Sequence, residues 1–104
     1  MEFLADSLSV NGHIVMPLVI LKERKDNKIM FVGFIPGITN KDVVSESIDS
    51  CKEDLKKIAN NAIKQMAKNN LPFPFFPTDK EICEDFKNVV EIIHIKINSQ
   101  KRVN

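Results

Sequence analysis

The feature that most constrains this chain is a set of apolar residues recurring at 3-4 spacing between positions 45 and 68. Ile48, Cys51, Leu55, Ile58, Ala59, Ala62, Ile63 and Met66 form the set. At about 100° per residue they fall within an arc of about 140°. Asp49, Glu53, Lys57, Asn60, Lys64 and Lys68 take the other side. The pattern predicts one long amphipathic helix whose apolar stripe must be covered by another part of the chain. Ser45 is placed to cap its first turn, with Ser47 and Asp42 as alternatives. Acidic Glu46, Asp49, Glu53 and Asp54 precede basic Lys56, Lys57, Lys64 and Lys68, an order that suits the helix dipole. Glu53 and Lys57 stand at the favourable i,i+4 spacing. At ~1.5 Å per residue the helix is about 36 Å long, longer than a small sheet is wide. Its end is expected to project or to serve as an interface.

The cover for that stripe must come from short β-branched runs. Residues 16–21 read as a strand, and Lys22-Glu23-Arg24-Lys25-Asp26-Asn27 as the hairpin loop that ends it. Residues 28–35 return as a second strand, stopped by Pro36-Gly37. Pro17 has no amide N–H and is expected at an edge or at a first paired residue. Gly33 leaves a gap where another element can approach. Val43 and Val44 suggest a short third strand. Residues 89–97 form a last β-branched run, with Val90, Ile92, His94 and Lys96 on one face. Val89, Glu91, Ile93, Ile95 and Ile97 take the other. Asn11-Gly12 is a hairpin signal that would pair residues 8–10 with 13–15.

Asn69-Asn70 ends the helix, and Leu71-Pro72-Phe73-Pro74-Phe75-Phe76-Pro77 excludes both helix and central strand. Thr78 or Asp79 can cap a brief helical turn running through Phe86. The resulting order, β-β-β-α-β, is an α+β class in two layers: a small antiparallel sheet covered by one long helix. Residues 14–97 hold this domain, 1–13 are an N-terminal extension and 98–104 a polar C-terminal tail.

Composition removes several function classes. A chain of 104 residues suits one domain, and a net charge of +1 lacks the basic footprint of a DNA-binding module. Seven Phe with no Trp or Tyr weigh against an RNA reader that stacks bases. The longest apolar run, residues 14–21, is far short of the ~20 residues that span a bilayer. The start Met-Glu-Phe-Leu-Ala-Asp lacks the basic region of a signal peptide. Cys51 and Cys83 are too few and too far apart for a zinc motif or a disulfide framework, and read as reduced, partly buried thiols. These readings place the protein in the cytoplasm, without membrane association, metal or cofactor.

Catalysis has little to stand on. His13 and His94 are the only histidines and neither lies in a nucleophile or metal motif. Glu53/Asp54 and Glu84/Asp85 are sequence neighbours, so on a helix they diverge. No catalytic residue is assigned. Binding is better supported. Phe73, Phe75 and Phe76, held between prolines, either plug the core beneath a loop or form a protein-binding surface. An exposed strand edge is a second docking surface, by strand addition.

The spacing of these elements resembles the HicB-like antitoxins of bacterial toxin–antitoxin systems. The opening strand of that family matches Pro17-Leu18-Val19-Ile20-Leu21-Lys22-Glu23, and its aromatic residue and Pro-Gly turn match Phe34-Ile35-Pro36-Gly37. The long helix matches the run from Ser45 to Leu55, the proline-containing exit matches Asn70-Leu71-Pro72-Phe73-Pro74, and the late strand matches residues 89–97. Two features depart from the pattern. The first Pro and the Asp of the usual Phe-Pro-Asp-Leu-Pro-Gly turn are missing, and residues 39–44 replace the Gly-Asp-Thr approach to the helix.

The resemblance implies a partial ribonuclease H-like fold without that enzyme's acidic cluster. It also implies a partner, a small basic RNA-cleaving toxin of the HicA-like kind, and a tendency to homo-oligomers. With seven residues after Ile97, the form expected is a truncated one without a C-terminal DNA-binding module. The binding residues expected are Phe34, Ile35, Pro36, Gly37 and Ile38 at the sheet end, with Phe73, Phe75 and Phe76. The alternative function is a self-assembling protein-interaction module with no toxin partner.

Overall fold

The computed structural model describes residues 13–98. The proposed strand 8–10 and the tail beyond Asn98 lie outside the described residues. Six elements follow in order: β1 (His13–Lys25), β2 (Lys28–Phe34), β3 (Val43–Ser45), α1 (Ile48–Lys68), α2 (Asp79–Asp85) and β4 (Val89–Asn98). The strands form one antiparallel sheet in the order β3-β2-β1-β4. The class is α+β, as the sequence implies.

β1 is longer than its apolar run. Lys22, Glu23, Arg24 and Lys25 belong to the strand, paired with Phe31, Met30, Ile29 and Lys28, and are not a loop. The loop shrinks to Asp26-Asn27, with φ of 51° and 68°. Both central residues are left-handed, as a type I′ turn requires, and Asp and Asn accept that region at low cost. Pro17 sits in a central strand, not on an edge. Lys22 donates its N–H to the Asn88 carbonyl and accepts from Asn88 Nδ2, so its peptide groups face β4. Backbone groups alternate sides along a strand, so Pro17 faces the β2 side. There the ladder begins only at Val19↔Phe34, and no bond is forfeited.

α1 begins at Ile48, and Ser47 is its cap: the Ser47 Oγ accepts from Ser50 N at 3.3 Å. Ser45, the end of β3, instead accepts from Ser47 N at 3.1 Å. The helix ends in a Schellman turn. Asn70 is left-handed at φ 57°, Leu71 N donates to Met66 O at 2.8 Å, and Asn70 N to Ala67 O at 3.3 Å. Cys51, Leu55 and Ala59 are buried against the sheet, while Ile48, Ile58, Ala62, Ile63 and Met66 are only half-buried. Gly33 is where the helix lands. A Cβ there would lie 2.7 Å from both Cys51 Sγ and Leu55 Cδ1. Glu53 forms no ion pair with Lys57; the helix is tied to the sheet through Lys52 Nζ, 2.9 Å from Glu91 Oε1.

The fold has a third layer that the two-layer expectation lacked. Met16, Leu18, Ile20 and Ile35 face α1, together with Cys51, Leu55, Ala59, Phe76 and Ile97. Val19, Leu21 and Val32 form a second cluster on the opposite face, under Ile82 of α2. Thr78 starts α2 with a capping box: its Oγ1 accepts from Glu81 N, and Glu81 Oε1 accepts from Thr78 N at 2.8 Å. The alternation in β4 also breaks. Ile20 pairs with Glu91 but Leu21 with Val89, so Val90 is a bulged residue. The extra residue flips the parity before it, and Val89 joins Ile92 on the α2 side instead of Ile93 on the α1 side.

Candidate protein-binding surface

The turn after β2 is built from local geometry. Pro36 at the second position and Gly37 at the third, with φ of 80°, give the signature of a type II turn. Ile38 N donates to Ile35 O at 3.0 Å and Thr39 N to the same oxygen at 3.1 Å. Ile35 N donates to Thr39 Oγ1 at 3.1 Å. The turn is therefore fixed at its base, with Ile35 fully buried beneath it.

The proline-rich exit from α1 comes to rest against this turn. A Cβ on Gly37 would lie 3.2 Å from Pro74 Cβ, so the two segments singled out in the sequence are neighbours. Their side chains divide into three groups. Ile35 and Phe76 are core residues, and their part is to anchor the two segments. Pro36, Ile38, Phe73 and Pro74 are half-buried, and Ile38 and Phe73 pack on the α1-side core. Gly37 and Phe75 are exposed, with Phe75 63% open to solvent, and Leu71 is 50% open. Phe34 does not join this rim. It points to the α2 face, where its ring lies 5.1 Å from that of Phe86 at 55°.

Phe86 is a surface residue that sequence reasoning treated only as the end of a helical turn. It is 37% exposed beside Phe34. Its spacing from Phe34 in the chain gives no signal, because the contact exists only once α2 has crossed the sheet.

Charged groups nearby are structural ties. His94 Nε2 lies 2.9 Å from both Asp79 carboxylate oxygens, linking β4 to the first residue of α2. This pair edges an apolar depression with Val15, Pro17, Phe76, Pro77 and Thr78. The hydrogen bond from Lys52 to Glu91 holds the lysine above its ordinary pKa. Burial pushes the Cys51 thiol up, with Asp54 adding to it, whereas Cys83 is exposed. Among the described residues, no group of three or more His, Cys, Asp or Glu side chains is placed to hold a metal ion. Nor is any helix among them long and apolar enough to cross a membrane.

No protein-family model matches this chain, and no curated protein or solved structure is significantly similar to it.

Proposed function

We propose that this protein is an antitoxin-like binder that neutralises a small, basic, RNA-cleaving toxin by covering its active site, with no chemistry of its own. The observation that carries this reading is the meeting of Gly37 and Pro74. It joins the two segments that resemble HicB-like antitoxins into one apolar rim, on which Phe75 and Leu71 stand exposed. A rigid turn beside a proline-stiffened segment presents apolar groups at little entropic cost on binding. The reading places the protein in the bacterial cytoplasm.

Co-expression with the small basic open reading frame beside the gene tests it. The toxin product alone should arrest growth, and this protein should rescue growth and co-purify with it. Phe75→Asp should weaken the complex by about tenfold or more, as for an exposed aromatic anchor, while leaving the folded state intact. A harmless neighbour that does not co-purify would sink the reading.

A second reading is supported by the sheet edge. β4 is the outermost of the four strands, and its outer side has no partner strand among the described residues. Ten residues of unpaired edge, with Val90 44% exposed, suit strand addition by a second copy. Light scattering that returns a monomer at working concentration would exclude self-assembly.

A further inference from the structure

The α2 side of the sheet carries an open apolar groove of about 270 Å³, apart from the Gly37–Pro74 rim. Leu21, Val32 and Phe34 form its floor, and Phe86 packs at a tilt against Phe34 as one wall. α2 has only seven residues and buries a single side chain, Ile82, so it leaves this end of the face uncovered. Glu23, on β1, and Asp42, beside β3, stand on either side of β2 at the groove. Both are exposed, and neither carboxylate has a hydrogen-bond or ion-pair partner among the described residues. No cation among the described residues lies within ion-pair distance of either carboxylate, and Lys25 and Lys87, close in the chain to Glu23 and to Phe86, do not line the groove. Lys28 is engaged by Glu46 at 3.1 Å, and Lys41 does not line the groove. Asn88 is also committed, donating to the Lys22 carbonyl at 3.0 Å.

An apolar floor between two unpaired carboxylates selects its occupant by charge. Phosphates of a nucleic acid would meet Glu23 and Asp42 at close range and be repelled. An acidic peptide fares no better. We propose that this groove docks a partner-protein segment in which one large apolar side chain is flanked by lysines or arginines. The apolar group leaves water against Val32, Phe34 and Phe86, and the flanking cations pair with Glu23 and Asp42. The inference rests on the protein-binding reading above and adds to it the chemistry of the partner and a second contact region.

The probe is a short labelled peptide with one Phe set between lysines and arginines, compared with a peptide in which glutamates replace the basic residues. The protein should bind the basic peptide saturably, less tightly as salt rises. Backbone amide shifts should concentrate at residues 21–23, 32–34, 42 and 86–88. The double variant Glu23→Lys/Asp42→Lys should weaken binding by about tenfold or more. Glu23→Gln/Asp42→Asn should weaken it less, and provides the charge test if the reversed variant fails to fold.

Three results would overturn the proposal. These are no saturable binding of the basic peptide, equal binding of the acidic one, or shifts confined to residues 36–38 and 71–76. Peptide binding without toxin co-purification would remove the antitoxin reading and leave the groove standing. Toxin co-purification with an indifferent groove would do the reverse.

Discussion

The two faces of the sheet differ in how they are covered. On the α1 face, a 21-residue helix meets Met16, Leu18 and Ile20 of β1 and Ile35 just after β2, each with no exposed surface. On the α2 face, a seven-residue helix places only Ile82 over Val19, Leu21 and Val32, and leaves Phe34 and Phe86 partly open. Length accounts for the difference. A long helix aligns many stripe residues with the sheet, whereas a two-turn helix presents one. The deep face supplies most of the buried apolar area, and with it most of the stability. The shallow face keeps apolar surface and unpaired charge available to a partner.

The largest test of this contrast is truncation of the buried anchor on each face. Leu55→Ala should cost about 3–5 kcal/mol and Ile82→Ala nearer 2 kcal/mol, read by urea unfolding. Equal costs would erase the distinction. Gly33→Ala comes next, at about 1–3 kcal/mol, because the new methyl collides with Cys51 and Leu55. Pairing it with Leu55→Ala, which opens the space, should recover part of that loss; strict additivity would show that the clash lies elsewhere.

Thr78→Ala removes a reciprocal cap and should cost about 1 kcal/mol. In native-state hydrogen exchange it should speed the amides of residues 79–86 while leaving those of α1 unchanged. A uniform acceleration would mean that the two faces open together.

The smallest effect is alkaline. Burial raises the Cys51 pKa in the folded state, so the folded chain keeps this proton to higher pH than the unfolded one. The stabilisation is complete below the unfolded thiol's pKa and is lost as pH rises through the folded value. Stability should therefore fall at alkaline pH, and Cys51→Ala should flatten that slope. The raised pKa of Lys52 has the same sign and acts higher still. Thiol labelling offers a companion check: Cys83 should react at once and Cys51 only on unfolding.

Elements whose signal is local were legible in the chain. The 3-4 stripe of α1, the β-branched runs, the Pro36-Gly37 turn and the Asn70 stop follow from side-chain periodicity and allowed φ values. Gly33 was readable as a point of close approach. The candidate site was legible only in part. Phe73, Phe75 and Phe76 stood out as a group, yet identical side chains received different burial. Ile35 and Phe34 adjoin in sequence and lie on opposite faces, as the strand period dictates, so they never formed one surface.

By itself, then, the sequence determined the α+β class, the order of its strands and long helix, and which segments are apolar and stiff. The tertiary structure decided the rest. The short helix α2 crosses to the second face, and that crossing explains why β1 is apolar at every position from Met16 to Leu21 instead of alternating. The bulge at Val90 reassigns Val89, and the approach of Pro74 to Gly37 joins segments far apart in the chain. The pairing of Phe34 with Phe86 between unpaired carboxylates arises the same way. Each depends on contacts between distant residues, which no local period encodes.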